Sequence, residues 1–149
     1  MIYILRHGDA EDGDGDDAAR RLTAKGRRQA RAAGEALAAL GAEIDACLTS
    51  PKLRATETAG LAVDPLGLDP ETAAELRGGG FDAIALAAGR GDVLLVGHEP
   101  DLSTELARLT GAAAKLRKGG LAIIDGSTLT ALLRPRDLAR IAAARPDPS

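Results

Sequence analysis

Rings and thiols are scarce in this chain: among 149 residues there is no Trp, one Tyr, one Phe and one Cys. The lone Cys47 excludes an intrachain disulfide framework, and Tyr3 and Phe81 alone offer no platform for stacking bases. Long apolar runs are missing too. No stretch approaches the ~18 residues of a membrane-spanning helix, and no basic-then-apolar leader is seen. The expectation is a cytoplasmic protein with no membrane partner. Neither sign of charge dominates, since 19 Lys and Arg stand against 22 Asp and Glu, for a net charge of −3. That balance describes an ordinary soluble surface and not one built for a polyanion. The basic cluster Arg20, Arg21, Lys25, Arg27, Arg28 and Arg31 is accordingly read as a solvated face, with no nucleic acid partner.

What is present is alternation. The length suits one domain with a real core, so residues 1–149 are read as a single domain whose tail, 145–149, is frayed. With so few rings, that core must be built from Ala, Leu, Ile and Val. Ile2 to Leu5 form a short buried strand, followed by a polar loop to about Leu22. Thr23 caps a helix with Ala30, Ala33, Leu37 and Leu40 on its apolar face, ending near Gly41. Ala46 to Thr49 is a second strand, and Ser50-Pro51 serves as cap and first position of a helix to about Val63. Prolines and glycines from Asp64 to Gly80 leave only a turn near Thr72 to Leu76, before a short helix from Phe81 to Ala88. Val93 to Val96 is the most strand-like segment, and a helix follows from about Asp101 to Thr110. Leu121–Ile124 and Thr128–Leu133 close the order as a hairpin, ahead of an amphipathic helix from Pro135 to Ala144.

Strands alternating with helices predict an α/β fold, a three-layer α/β/α sandwich around a mostly parallel sheet. Ligands of such sheets sit beyond the carboxyl ends of the strands. Three strands here end in polar residues: Arg6-His7-Gly8, Ser50-Pro51 leading to Arg54, and Gly97-His98-Glu99. Two histidines and two arginines gathered at one sheet edge suit phosphoryl transfer. Guanidinium forks match phosphate oxygens, and a neutral imidazole can attack phosphorus, with nearby cations discouraging its protonation.

The motifs "RHG" at 6–8, "LTAKGRRQA" at 22–30, "TSPKLRATETA" at 49–59 and "LLVGHEP" at 94–100 together resemble the histidine phosphatase superfamily, also called phosphoglycerate-mutase-like. The "RHGDA" and "GHEP" spellings and the short chain are most similar to its SixA branch of phosphohistidine phosphatases. The resemblance spans residues 1 to about 110. It implies that His7 is a nucleophile that becomes phosphorylated, and that Arg6, Arg54 and His98 form the pocket around the phosphoryl oxygens. No metal and no cofactor are then required, because a fixed cationic pocket stabilises the charge of the transition state.

Many relatives also use a carboxylic acid to protonate the leaving oxygen. Asp9, Glu11, Glu75 and Glu99 are candidates here, none specified by spacing. An imidazole leaving group needs less proton help than an alkoxide, so the reading is a phosphatase of phosphohistidine-bearing proteins. The alternatives are a phosphomonoesterase on a small phosphorylated metabolite or nucleotide, and a non-catalytic phosphate-binding module. Mutase chemistry, which favours an enclosed site, is disfavoured.

Two other motifs fail on inspection. A calcium loop counted from Asp12 would place Asp17 and Thr23 where a glycine and a glutamate belong, so Glu11 to Asp17 is read as a flexible solvated loop at the mouth of the site; the sharper alternative is that it repels phosphates lacking the right surroundings and so tunes specificity. Cysteine-phosphatase spacing counted from Cys47 puts Leu53 where the arginine should stand, which leaves Cys47 to the core.

Overall fold

The computed structural model describes residues 1–13 and 15–144, so the tail expected to fray lies outside the described residues. The elements are β1 (Ile2–Arg6), α1 (Ala24–Ala39), β2 (Ala46–Thr49), α2 (Leu53–Val63), β3 (Glu71–Thr72), α3 (Ala83–Ala87), β4 (Val93–Gly97), α4 (Asp101–Thr110), β5 (Leu121–Asp125), β6 (Thr128–Leu133) and α5 (Pro135–Ala143). The strands form one sheet in the order β3-β2-β4-β1-β5-β6. Pairing is parallel from β3 through β2 and β4 to β1, and antiparallel from β1 to β5 and β6.

Strand alternation divides the core between two faces. Tyr3 and Leu5 of β1, Cys47 of β2, Leu94 and Val96 of β4 and Leu121 of β5 pack beneath α1, α2 and α5. Ile4, Ala122 and Ile124 turn to the other face under Leu102 and Leu106 of α4. Leu48, Val93 and Leu95 pack on that same face against Leu76, in a 3-10 turn at Ala74–Arg77, and against Ala83 of α3. The expected three layers are therefore present, and aliphatic side chains fill them. Each fully buried Leu or Ile stabilises the fold by about 1.5–3 kcal/mol.

Several expectations need correction. Helix α2 begins at Leu53, not at Pro51, and its N-cap Lys52 makes no side-chain capping bond, since a lysine ammonium has no acceptor. Leu40 is 51% exposed: it is the C-cap of α1, where the helical period stops applying. The polar stretch before Leu22 is better anchored than a free loop. Leu22 itself is fully buried, Ala10 and Leu22 form an isolated antiparallel bridge, and Asp17–Ala19 make a single 3-10 turn. Strand β3 was not expected at all; its two exposed residues carry no period to detect.

The parallel register positions the ends that matter. Arg6 stands opposite Gly97, and Thr49 opposite Val96, so His7, Ser50 and His98 leave three neighbouring strands at the same edge.

Candidate active site

The backbone around His7 is held from every side. His7 N donates to Gly97 O at 3.1 Å and Gly119 N donates to His7 O at 3.0 Å. Gly8 N donates to Thr58 Oγ1 at 3.0 Å, and that hydroxyl donates in turn to Arg54 O at 2.7 Å. Asp9 N donates to Gln29 Oε1 at 2.9 Å. Thr23, as predicted, caps α1 by accepting from Gly26 N, and it also donates to Asp9 Oδ2 at 2.8 Å. Thr58 and Gln29 were not singled out in the sequence, since their role is to satisfy a loop far away in the chain.

Close packing explains two glycines. A Cβ on Gly26 would stand 2.0 Å from Asp9 O, and one on Gly8 would stand 2.6 Å from Gly26 O. The first turn of α1 thus lies directly against the loop that carries His7, with no room for any side chain between them.

His7 and His98 are 6% and 7% exposed, with ring centroids 5.1 Å apart. His7 Nδ1 lies 2.7 Å from Gly8 O. A carbonyl only accepts, so Nδ1 carries the proton and the neutral ring presents its lone pair at Nε2. His98 Nε2 lies 2.7 Å from Ser50 Oγ, which already accepts from Lys52 N at 3.2 Å. Ser50 can therefore donate to Nε2 and leave His98 Nδ1–H as a free donor.

Arg6 Nη1 donates to Leu116 O at 3.0 Å. Arg54 Nη1 donates to Asp17 O at 2.9 Å and Nη2 pairs with Asp17 Oδ2 at 3.2 Å. Among the described residues three buried nitrogens here have no partner: Arg6 Nε, Arg54 Nε and His98 Nδ1. Buried donors are normally satisfied. A tetrahedral oxyanion is the ligand that would satisfy these, with charge-assisted bonds.

Electrostatics keep both rings neutral. Burial above all, then the nearby Arg54, Arg6 and Lys118, pulls His7 down from 6.5 to about 4, although its bond to Gly8 O works the other way. Burial, then His7, Arg54 and Lys52, pulls His98 down to about 3. Because the folded values lie below the ordinary 6.5, the unfolded chain binds protons between about pH 6.5 and 4 that the folded chain does not. Stability therefore rises with pH across that window and is lost as pH falls through it. With two histidines in the chain, imidazole resonances followed from pH 8 to 4 read both groups directly. Both are expected to stay neutral below pH 5, and a midpoint near 6.5 for His7 would contradict the buried arrangement.

The acidic run does more than solvate a loop. Asp17 pairs with Arg20, Lys52 and Arg54 at 3.1, 3.4 and 3.2 Å. Arg20 first, then Arg54 and Lys52, holds its carboxyl down to about 2. Asp17 thus occupies both terminal nitrogens of Arg54 and leaves Nε without a partner. It also places a negative charge beside these unpartnered donors. Asp17→Asn keeps the backbone contact and removes that charge, so tungstate or phosphate should bind about 2- to 5-fold more tightly, as calorimetry would show.

The four candidate acids do not gather on His7. Glu99 accepts from Ser103 N at 2.7 Å and from Leu116 N at 3.0 Å, so both of its oxygens serve the backbone. Asp9 is taken by Thr23 and, at 3.7 Å, by Lys118. Glu11 lines a separate hollow with Asp12, Arg20 and Arg21, and Glu75 another with Phe81 and Asp82. Cys47 is buried in the core, its thiol pushed up to about 12 by burial.

Comparison with known proteins now has a geometry to meet. Residues 2–85 match the model of the histidine phosphatase superfamily, branch 1. An uncharacterized protein of Picosynechococcus sp. is 34% identical over 134 residues, which cover 80% of this chain and 81% of that one. The structure of the protein histidine phosphatase SixA complexed with tungstate superposes with a TM-score of 0.79 at 27% identity, over 92% of this chain and 98% of that chain. The alpha-ribazole phosphatase of Shigella flexneri shares the fold, with a TM-score of 0.66 at 20% identity over 89% of this chain and 95% of that chain.

Proposed function

Because the chain belongs to the histidine phosphatase superfamily, we propose that His7 is the nucleophile of a phosphatase that acts, without a metal, on phosphohistidine of other proteins. The observation that carries this reading is the polarity of the pocket. A neutral imidazole with its lone pair at Nε2 stands among three buried nitrogens that lack acceptors.

The reaction follows from those atoms. His7 Nε2 attacks phosphorus and forms an N–P bond, while the substrate P–N bond breaks and its electron pair returns to the leaving ring. Protonated on its other nitrogen, that ring departs as neutral imidazole. Arg6, Arg54 and His98 hold the equatorial oxygens and stabilise the charge spread over them. Gly8 O keeps the Nδ1 proton on the phosphorylated His7, so the ring carries positive charge and stays a good leaving group. Water then attacks phosphorus, the N–P pair returns to Nε2, and dihydrogen phosphate leaves with both hydrogens of the water.

The substrate class rests on the engaged carboxyls. Glu99 and Asp9 are committed to backbone, Thr23 and Lys118, and Asp17 is held ionised. An alkoxide leaving from a phosphomonoester needs a proton donor, whereas a protonated imidazole does not. The likeness to SixA, named a protein histidine phosphatase, supports the same reading.

The test is phosphate release from a phosphohistidine-bearing domain and from a panel of phosphomonoesters, with chelator present. Clear preference for phosphohistidine supports the proposal. Preference for monoesters would keep the nucleophile and overturn the substrate, and phosphate binding without turnover would make the chain a binding module.

A further inference from the structure

The basic residues set aside as a solvated face do not stay together in the fold. Arg20 turns to Asp17 and to Glu11 O, and Arg27 Nη1 donates to Leu22 O at 3.0 Å. Lys25 and Arg28 instead face α5 across a hollow of about 520 Å³, where Arg117, Arg134 and Arg136 join them. No carboxylate among the described residues lines that hollow. Among the described residues only Arg134 of these five has an acidic partner, Asp137 at 3.0 Å. A chain with a net charge of −3 has thus collected five cations around one concavity. Like charges gathered in this way favour an anionic partner.

The hollow is joined to the candidate active site. Gln29 lines it and accepts from Asp9 N at 2.9 Å, two residues from His7. Arg117 lines both this hollow and a second one of about 570 Å³ that contains Arg6, Lys115 and Glu99, the last with both oxygens taken by backbone N–H groups. Lys118, next in the chain, is close enough to His7 to depress its protonation. A cationic track therefore runs from Arg6 over the 115–118 segment to the seam of α1 and α5. Aromatic side chains are absent from it: Tyr3 is buried, and Phe81 packs against core residues and lines a different hollow. Bases would find nothing to stack on.

We infer that this track is the docking surface for the acidic face of the phosphoprotein substrate, carboxylates of the partner lying along Lys25, Arg28, Arg117 and Arg136 while its phosphohistidine enters the pocket at His7. The inference rests on the reading of the chain as a phosphatase of phosphohistidine proteins. Its length fits a protein and not a lone phosphate, since one oxyanion fills the pocket and leaves the hollow unsatisfied. The exposed acids Glu11, Asp12 and Asp16 line a different hollow and would repel the same acidic face, which sets the partner's orientation. Such complementarity speeds encounter and selects partners, and it weakens with salt.

The test compares wild type with Arg28→Glu/Arg136→Glu, two exposed side chains outside the pocket at His7. Arg31→Glu/Arg140→Glu is the control, with the same change in net charge on exposed positions of the same two helices. Substrates are an acidic phosphohistidine-bearing domain and free phosphohistidine. On the domain, kcat/KM should fall about 10- to 100-fold in the Arg28/Arg136 variant at low salt, with the gap closing as salt rises. Free phosphohistidine should be turned over within about 2-fold by all three proteins, and the control should match wild type on both substrates. Equal losses on both substrates, or no loss on the domain, would overturn the inference. If wild type ignores the phosphohistidine domain but hydrolyses monoesters, the substrate reading fails, and the track is judged by binding of a fluorescent polyglutamate peptide. Binding that is lost only in the Arg28/Arg136 variant supports an acidic-protein surface. No binding overturns it, and so does tripolyphosphate binding more tightly than the peptide, which would make the hollow a site for small polyanions.

Discussion

His7→Ala is expected to lower turnover by about 10⁴-fold or more while tungstate still binds within a few fold. The reason is a division of labour in the pocket. In the proposed reaction phosphoryl oxygens are held by Arg6, Arg54 and His98, whose three unpartnered nitrogens lie on side chains other than His7, whereas bond making depends on His7 Nε2 alone. The alanine also leaves Gly8 O without the donor it has at 2.7 Å, so a second variant is needed. In His7→Asn the side-chain amide reaches the same carbonyl and offers no nucleophile, and it should be as inactive as alanine with near wild-type stability. Single-turnover labelling completes the test. Wild type should carry acid-labile, base-stable phosphate on His7, and neither variant should. Turnover in His7→Asn near the wild-type level would remove His7 from the mechanism.

A second large effect is expected from a residue with no side chain. Gly26→Ala adds one methyl group 2.0 Å from Asp9 O, a backbone atom that cannot rotate away. Either α1 retreats or the loop carrying His7, Gly8 and Asp9 moves. Overpacking of this kind costs about 1–3 kcal/mol of stability, and a displacement near 1 Å of reacting groups costs about 10²-fold in rate. Denaturant melts and kcat/KM should therefore fall together. Gly60→Ala is the matched control. Gly60 lies in α2, and nothing stands within 4 Å of the Cβ it would gain. That substitution should stabilise the protein by up to about 1 kcal/mol and leave activity unchanged. If Gly26→Ala behaved like Gly60→Ala, the tight seam between α1 and the loop would not be what positions His7.

Much of the fold could be read along the chain because its signals are local. Short apolar runs at Ile2–Leu5 and Val93–Val96 mark buried strands, and the structure divides their side chains between two faces of the sheet. Thr23 announces the start of α1 and performs that role. Ser50-Pro51 carries an equally good local signal, yet α2 starts at Leu53, and the Ser50 hydroxyl, besides accepting from Lys52 N at 3.2 Å, meets His98 Nε2 at 2.7 Å across the sheet edge. A capping rule weighs only neighbours in sequence, and this second partner stands 48 residues away.

The same distinction runs through the site. By itself, the sequence determined which residue types end three strands, and hence that two histidines and two arginines would meet at one edge. The period of a strand and the handed connections of an α/β sheet allow little else. Only the tertiary structure decided how those groups are used. It set the tautomer of His7 through Gly8 O, turned Asp17 onto Arg54, committed the oxygens of Glu99 to the backbone, and split a uniform-looking basic cluster between ion pairs and the α1–α5 hollow. Each of these depends on a contact between distant segments. Such contacts leave no periodicity in the chain, because their energy comes from burial and charge in three dimensions and not from local backbone preference.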